Sequence, residues 1–308
     1  MFKTLSYNLW KEEPIKFSAQ LGDNFKKWGF CAIKDHPINT SLIEEVLSMF
    51  KDFFSYSLET KAKYYKKELA GSRGYTPFRI ETPKDGSKPD LKEFWHIGRE
   101  LPENHRYNQW MDNNIWVQEI DCFRSKTIEL FEEFNDFGNT LLKSISIYLD
   151  IDMNSFSKAT DYGNSILRAI HYPKVNGIYS GERAGAHEDI NLITLLANGH
   201  QPGLEILNPQ NKWVAVDSES DTIICNIGDM MQRFTNHKLK STTHRVRALG
   251  NESISKSRYS IPFFLHPNPD WLIKTLDNCI SKITPNLYPD PIMAEDYLRE
   301  RLIEINLV

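Results

Sequence analysis

The stretch AGAHEDINLITLL, residues 184–196, decides how this chain is read. Its second half is an apolar run with the composition of a β-strand. Just ahead of it, His187 and Asp189 stand two residues apart. On an extended chain, residues i and i+2 face the same way. An imidazole and a carboxylate can therefore meet one ion while Glu188 points elsewhere. A lone H-x-D arises often by chance, and a hydrogen-bonded pair at a strand end would use the same residues. The remainder of the chain has to separate the two readings.

After residue 165 the sequence breaks into short β-rich runs: SILRAIHYP, LITLL, GLEIL, KWVAV, TIICNIGD, STTHRVRAL and RYSIPFFLH. Turn signals such as NG, PG, NPQN and GD separate them. So many short strands predict a barrel or jelly roll. His244, in STTHRVRAL, falls several strands beyond the H-x-D pair and can return to face it. Two imidazoles and one carboxylate on adjoining strands form a facial triad that leaves coordination positions open, which suits non-haem Fe(II) and O2. Farther on, Arg258 and Ser260 share one strand face, and a guanidinium beside a hydroxyl is a clamp for a carboxylate.

Ahead of residue 160 the pattern is mostly helical. SLIEEVLSMFKDFFSYSLETKAKYYKK has helical spacing with Ser41 as the expected N-cap, and residues 115–149 read as one long amphipathic helix. WGFCAIKDHPI interrupts them as a short strand and turn ending at Pro37. Residues 71–98 are rich in Gly and Pro and read as an irregular segment with short strands. The expected fold class is α+β with a mainly β core: a double-stranded β-helix, or distorted jelly roll, with flanking N-terminal and C-terminal helices. We expect a single integrated domain over 1–308, with a mostly helical region at 1–160, a jelly-roll core at 165–270 and a helical tail at 271–308.

Bulk properties narrow the function. Hydrophobic content of 40% and charged content of 25% over 308 residues are those of an ordinary globular chain. A net charge of −4 gives no reason to expect nucleic acid or an acidic membrane surface as a partner. No stretch approaches the length of a membrane span, and the N-terminus has no signal-peptide pattern. The four cysteines are scattered, without a CxxC pair, and read as reduced thiols of a cytoplasmic protein. Oligomeric state has no signature.

The order H-x-D, NIGD, THRV and R-x-S, together with FKKWGFCAIKDHPI, RGYTP and DLKEFWHIG, resembles the 2-oxoglutarate- and Fe(II)-dependent dioxygenases, in particular the isopenicillin N synthase-like branch. The resemblance covers nearly the whole chain. It implies that His187, Asp189 and His244 bind iron, that Arg258 and Ser260 hold the distal carboxylate of 2-oxoglutarate, and that Tyr172 contacts a carboxylate of co-substrate or substrate. Many plant members carry Asn two residues before that tyrosine. Here the position is Ile170, which removes one expected co-substrate contact. The implied reaction uses O2 to decarboxylate 2-oxoglutarate to succinate and to oxidise, most simply hydroxylate, a C–H bond of a small molecule.

Two alternatives stay open at this point. One is an isopenicillin N synthase-like oxidase or cyclase without oxoglutarate, its R-x-S pair holding the substrate's own carboxylate. The other is a zinc hydrolase or a non-catalytic binding protein. Tyr75 and Trp95 fall in a segment that resembles the family's substrate-side loop and are candidate pocket residues, with plain packing as their alternative. Arg73, together with Arg79, would favour an acidic or amino-acid-like substrate. Arg168 is expected in an outer salt bridge. Met230, Met231 and Phe234 read as core, and KAKYYKKEL as a solvated helix face. His36, His96, His105, His200, His237 and His266 read as hydrogen-bonded or solvated rather than as ligands.

Overall fold

A computed structural model describes residues 2–82, 88–174, 182–197, 202–247 and 256–304. Two sheets face each other. The large one has eight strands in the order β1 (Thr4–Ser6), β2 (Phe30–Lys34), β10 (Ile223–Ile227), β7 (Ile193–Ala197), β12 (Arg258–Leu265), β5 (Ile166–Tyr172), β4 (Glu93–Gly98) and β3 (Gly74–Thr76). The small one runs β6 (Ala184–His187), β11 (His244–Val246), β8 (Leu204–Leu207) and β9 (Trp213–Ala215). This is the expected double-stranded β-helix with flanking helices. The segment before residue 160 is less purely helical than its periodicity suggests, since it supplies β1 to β4 of the large sheet.

Alternation along the central strands creates two apolar layers. One face carries Cys31, Ile33, Leu195, Cys225, Ile227, Phe263 and Leu265, and packs on helices. The other carries Phe30, Ala32, Phe94, Ile170, Tyr172 and Ile224, and looks across to Ala184, Leu204, Ile206 and Val246 of the small sheet. The strands buried on both faces, such as the all-buried β10, are near-continuous apolar runs for that reason. The long helix Phe123–Tyr148 lies on the outer layer, with Phe131 and Phe134 against Phe263 at ring-centroid separations of 5.1 and 5.6 Å. Gly138 permits that approach: a Cβ there would lie 2.4 Å from Leu265 Cδ1.

Several local expectations change. The helix Thr40–Ser55 is capped by Asn39 rather than Ser41; Asn39 Oδ1 accepts from the amides of Ser41 and Leu42 at 3.0 and 3.3 Å. An asparagine just ahead of the helix satisfies two free amides at once. The long helix starts at Phe123, not 115, because Cys122 takes a left-handed conformation (φ 57°) that breaks the run. The tail from 271 is only partly helical. A short ladder of β13 (Leu272–Ile273) with β14 (Ile292–Met293) precedes the helix Ala294–Glu304, and Pro285, Pro289 and Pro291 keep the intervening chain irregular. KAKYYKKEL is not simply a solvated face: Lys61 is buried and pairs with Glu93 at 2.9 Å. No helix among the described residues is long and apolar enough to cross a membrane.

Candidate metal centre and co-substrate clamp

His187 and His244 end up opposite each other because β6 and β11 pair antiparallel in that register. Their rings are 4.3 Å apart. Asp189 follows β6 and turns back beneath both, so that its Oδ1 is 3.9 Å from Nε2 of each histidine. The three ligand atoms lie within 4.8 Å of one another, the single such cluster of His, Cys, Asp and Glu among the described residues. Glu188 points away and accepts from Thr243 Oγ1 at 2.6 Å.

Neighbouring groups aim all three ligands. Nδ1 of His187 donates to Gly185 O at 2.7 Å, and Nδ1 of His244 to Thr242 O at 3.1 Å. Each Nε2 is thereby left with its lone pair facing inward. Burial, reinforced by the adjacent His187, lowers His244 to about 4, so this imidazole is neutral and fit to ligate. Asp189 is held from behind: its Oδ2 accepts from Thr194 Oγ1 at 2.6 Å and from Asn226 Nδ2 at 2.7 Å, leaving Oδ1 for the ion. Burial alone would raise this carboxyl. Attraction to the two histidines in their protonated form, together with the two hydrogen bonds, outweighs it, and the carboxyl is held below its usual range. A neutral His pair and one carboxylate converging from one side fit a divalent iron with positions left open.

The clamp lies on the inner face of the large sheet. Arg258 and Ser260 share that face, and Tyr172 pairs with Arg258 across β5 and β12. Arg258 Nη1 donates to Ser260 Oγ at 3.2 Å, and its guanidinium sits 5.2 Å from the Tyr172 ring centroid. The arginine is 3% exposed and its Nε has no hydrogen-bond partner among the described residues. Burying a cation with an unused donor is costly unless an anion joins it. A carboxylate placed there answers both needs. Arg183 adds a second guanidinium on the same tyrosine, 6.0 Å from its ring centroid. Ile170 lines the interior and offers no polar contact to a co-substrate.

The expected substrate-side residues do not join this site. Trp95 pairs with Ala169, and Tyr75 with Trp95, so both belong to the helix-facing side of the sheet. Trp95 is fully buried against Phe53, Tyr64 and Phe123, and Tyr75 OH donates to Glu93. His171 lies on that outer side too, bonded to Glu93 at 2.8 Å. Arg73 is buried and spends its donors on backbone oxygens of Asp112 and Ser72 and on Asn164. Arg79 is exposed. Neither arginine supplies a cation inside the barrel. Arg168 forms the expected salt bridge, with Glu81 at 3.5 Å, but does so on the inner face of the sheet beside His96 rather than on the outside.

Met230, Met231 and Phe234 are core, as read from the sequence. The four cysteines are free. His36, His105, His237 and His266 take no part in the triad; His200 lies outside the described residues. Thr194 and Asn226 are the functional residues that sequence reading passed over. Each is a lone polar side chain inside an apolar strand, and that is the signal that would have found them.

Known proteins agree with this geometry. Residues 163–267 match the model of the 2OG-Fe(II) oxygenase superfamily, and residues 5–119 match the N-terminal model of the non-haem dioxygenases in morphine synthesis. The 2-oxoglutarate-Fe(II) type oxidoreductase hxnY of Emericella nidulans is 33% identical over 298 residues, covering 92% of this chain and 83% of that one. A Caulobacter crescentus structure assigned to the 2OG-Fe(II) oxygenase family superposes with TM-score 0.93 at 38% identity, covering 99% of each chain. A full-length Neurospora crassa protein, solved in complex with alpha-KG, gives 0.87 at 27% identity, covering 98% of this chain and 96% of that one. Relatives that carry 2-oxoglutarate in their names and in their crystals set aside the oxoglutarate-free oxidase and the zinc hydrolase. With the triad, the buried clamp and both matches in place, this chain belongs to the 2OG-Fe(II) oxygenase superfamily and is an Fe(II)- and 2-oxoglutarate-dependent oxidoreductase.

Proposed function

We propose that the enzyme hydroxylates a C–H bond of a small molecule while 2-oxoglutarate is decarboxylated to succinate. The observation that carries this reading is the convergence of two Nε2 atoms and one carboxylate oxygen on one side of a barrel whose far wall holds a buried, incompletely partnered arginine. Bound Fe(II) supplies the oxygen-activating redox chemistry. The chain does the rest. His187, Asp189 and His244 hold the ion from one side only. Arg258 and Ser260 fix the distal carboxylate of the keto acid, and Tyr172 forms the floor beneath the guanidinium. Phe94, Ile170, Ile206 and Val246 keep water out of the interior. Crystals of the Neurospora crassa relative hold thymine or 5-formyluracil, which supports a small-molecule substrate here. Free, buried Cys31 and Cys225 stand opposite each other on β2 and β10, in keeping with a reducing cytoplasm.

Anaerobic addition of Fe(II) and then 2-oxoglutarate to metal-free protein, followed by visible absorption, tests the reading. A weak charge-transfer band in the green should appear, and Arg258→Ala at matched concentrations should lack it. Iron bound with no band in the wild-type protein would overturn the assignment of oxoglutarate to this site.

A further inference from the structure

The two ends of the β5–β12 ladder carry different chemistry on their inner face. Tyr172 and Arg258 mark one end. At the other, Thr194, the brace of Asp189, pairs with Phe264, and Phe264 pairs with Ile166. About 13 Å of strand separates Tyr172 from Arg168. A keto acid held at Arg258 and reaching the triad fills the interior from its own end. The molecule to be oxidised must approach from the end that remains, where Arg168 and Phe264 stand.

Both residues are built in an unusual way. Phe264 is only partly buried, although its neighbours Phe263 and Leu265 are fully buried, so part of its ring is left uncovered. The Arg168 guanidinium lies 4.3 Å from the ring centroid of Phe94 and 5.2 Å from that of Phe264. Its Nε donates to His96 Nε2, and its Nη1 pairs with Glu81 at 3.5 Å. His96 in turn donates from Nδ1 to Gly71 O at 2.7 Å, which fixes it as a neutral acceptor for the arginine. Arg168 Nη2 makes no hydrogen bond among the described residues. The guanidinium is thus held through two of its nitrogens, with the third left over among the described residues.

Charge narrows the ligand. Glu81 also pairs with Lys92 at 2.5 Å, and Lys92 with Asp90 at 2.8 Å. Two cations already face two anions, so an added carboxylate would arrive uncompensated, whereas a carbonyl oxygen needs only the donor. We propose that Arg168 Nη2, with Phe264 as a stacking surface, reads the carbonyl oxygen of a flat, uncharged single ring, a lactam or an imide, as the substrate class. This rests on the function proposed above and replaces the acidic substrate that Arg73 and Arg79 would have favoured.

The test is anaerobic calorimetric titration of protein loaded with Fe(II) and 2-oxoglutarate, using uracil and 2-pyridone as neutral probes and orotate as the matched anion. We expect both lactams to bind and orotate to bind at least ~10-fold more weakly. Arg168→Met should weaken the lactams ~10- to 100-fold, the usual effect of losing a charged donor, and Phe264→Leu several-fold, with the green band unchanged in both. If Arg168→Met does not fold, Arg168→Lys keeps a partner for Glu81 but loses the planar fork, and should weaken binding several-fold. Orotate binding more tightly than uracil, lactams indifferent to residue 168, or no lactam binding at all would overturn the proposal. A missing band in the wild type would instead sink the proposed function, with the Arg168 comparison still read from the calorimetry.

Discussion

Replacing Asn226 by Ala should loosen iron without touching a ligand. Asn226 Nδ2 is 2.7 Å from Asp189 Oδ2, and both residues are buried. The only other side chain on that oxygen, among the described residues, is Thr194 at 2.6 Å. A hydrogen bond to an ionised group contributes about 1.5–3 kcal/mol. Removing one of the two supports frees the carboxylate to rotate Oδ1 away from the two Nε2 atoms. At about 1.36 kcal/mol per tenfold, the affinity for Fe(II) should fall ~10- to 100-fold, the range found for lost supports of metal ligands. The two donors share one acceptor and one task, so their losses should not add. Thr194→Val alone and Asn226→Ala alone should each cost less than half of what the double variant costs. The assay is anaerobic titration with Fe(II), or with Co(II) as a spectroscopic stand-in, on protein whose melting transition remains cooperative. An Asn226→Ala protein that folds and binds metal within threefold of wild type would refute the idea that this amide orients the ligand.

Other outcomes follow from the same geometry. Arg258→Lys keeps the charge but loses the fork, and should raise the Kd for 2-oxoglutarate at least ~10-fold in a calorimetric titration while Fe(II) binding is unchanged; equal loss of both would mean the arginine is structural. Gly228→Ala would place a Cβ 2.2 Å from Asn191 O and 2.3 Å from Asn191 Oδ1. It should lower both stability and metal affinity, because Asp189 and Asn191 share that turn, and a thermal melt within a degree of wild type would contradict it. Glu93 is held below the usual carboxylate range: burial opposes its charge, but His171, Lys61 and Tyr75 more than offset that. A depressed folded pKa gives stability that is present above the unfolded value and lost as pH falls through the folded one. Glu93→Gln, which strands buried Lys61, should therefore cost about 3–5 kcal/mol in denaturant melts at neutral pH. The gap should shrink below the unfolded glutamate pKa of about 4.3. A gap that is constant with pH would show that the charge on Glu93 is not what is lost.

How much of this was legible depended on whether alternation survived in each strand. Spacing of two put His187 with Asp189 and Arg258 with Ser260, and both pairs share a face in the fold. Spacing could not assign a face to Trp95. All six residues of β4 are buried, one side under helices and the other inside the barrel, so the polar half of the alternation that marks a surface is absent. Only the register of Trp95 against Ala169 decides its side, and register belongs to the assembled sheet. The same register turns Phe94, His96 and Arg168 inward, exchanging the predicted pocket residues for their immediate neighbours. Arg73 eluded the sequence for a different reason. It lies flat on Gly98, where a Cβ would come within 2.2 Å of its Cζ, a close approach that no local pattern encodes. Thr194 and Asn226 were legible in principle. In a strand buried on both faces every polar side chain must find a partner, so a lone threonine in LITLL and a lone asparagine in IICNI each imply a buried group that needs holding. In this fold that group is the carboxylate of Asp189, the ligand that stands between the two histidines.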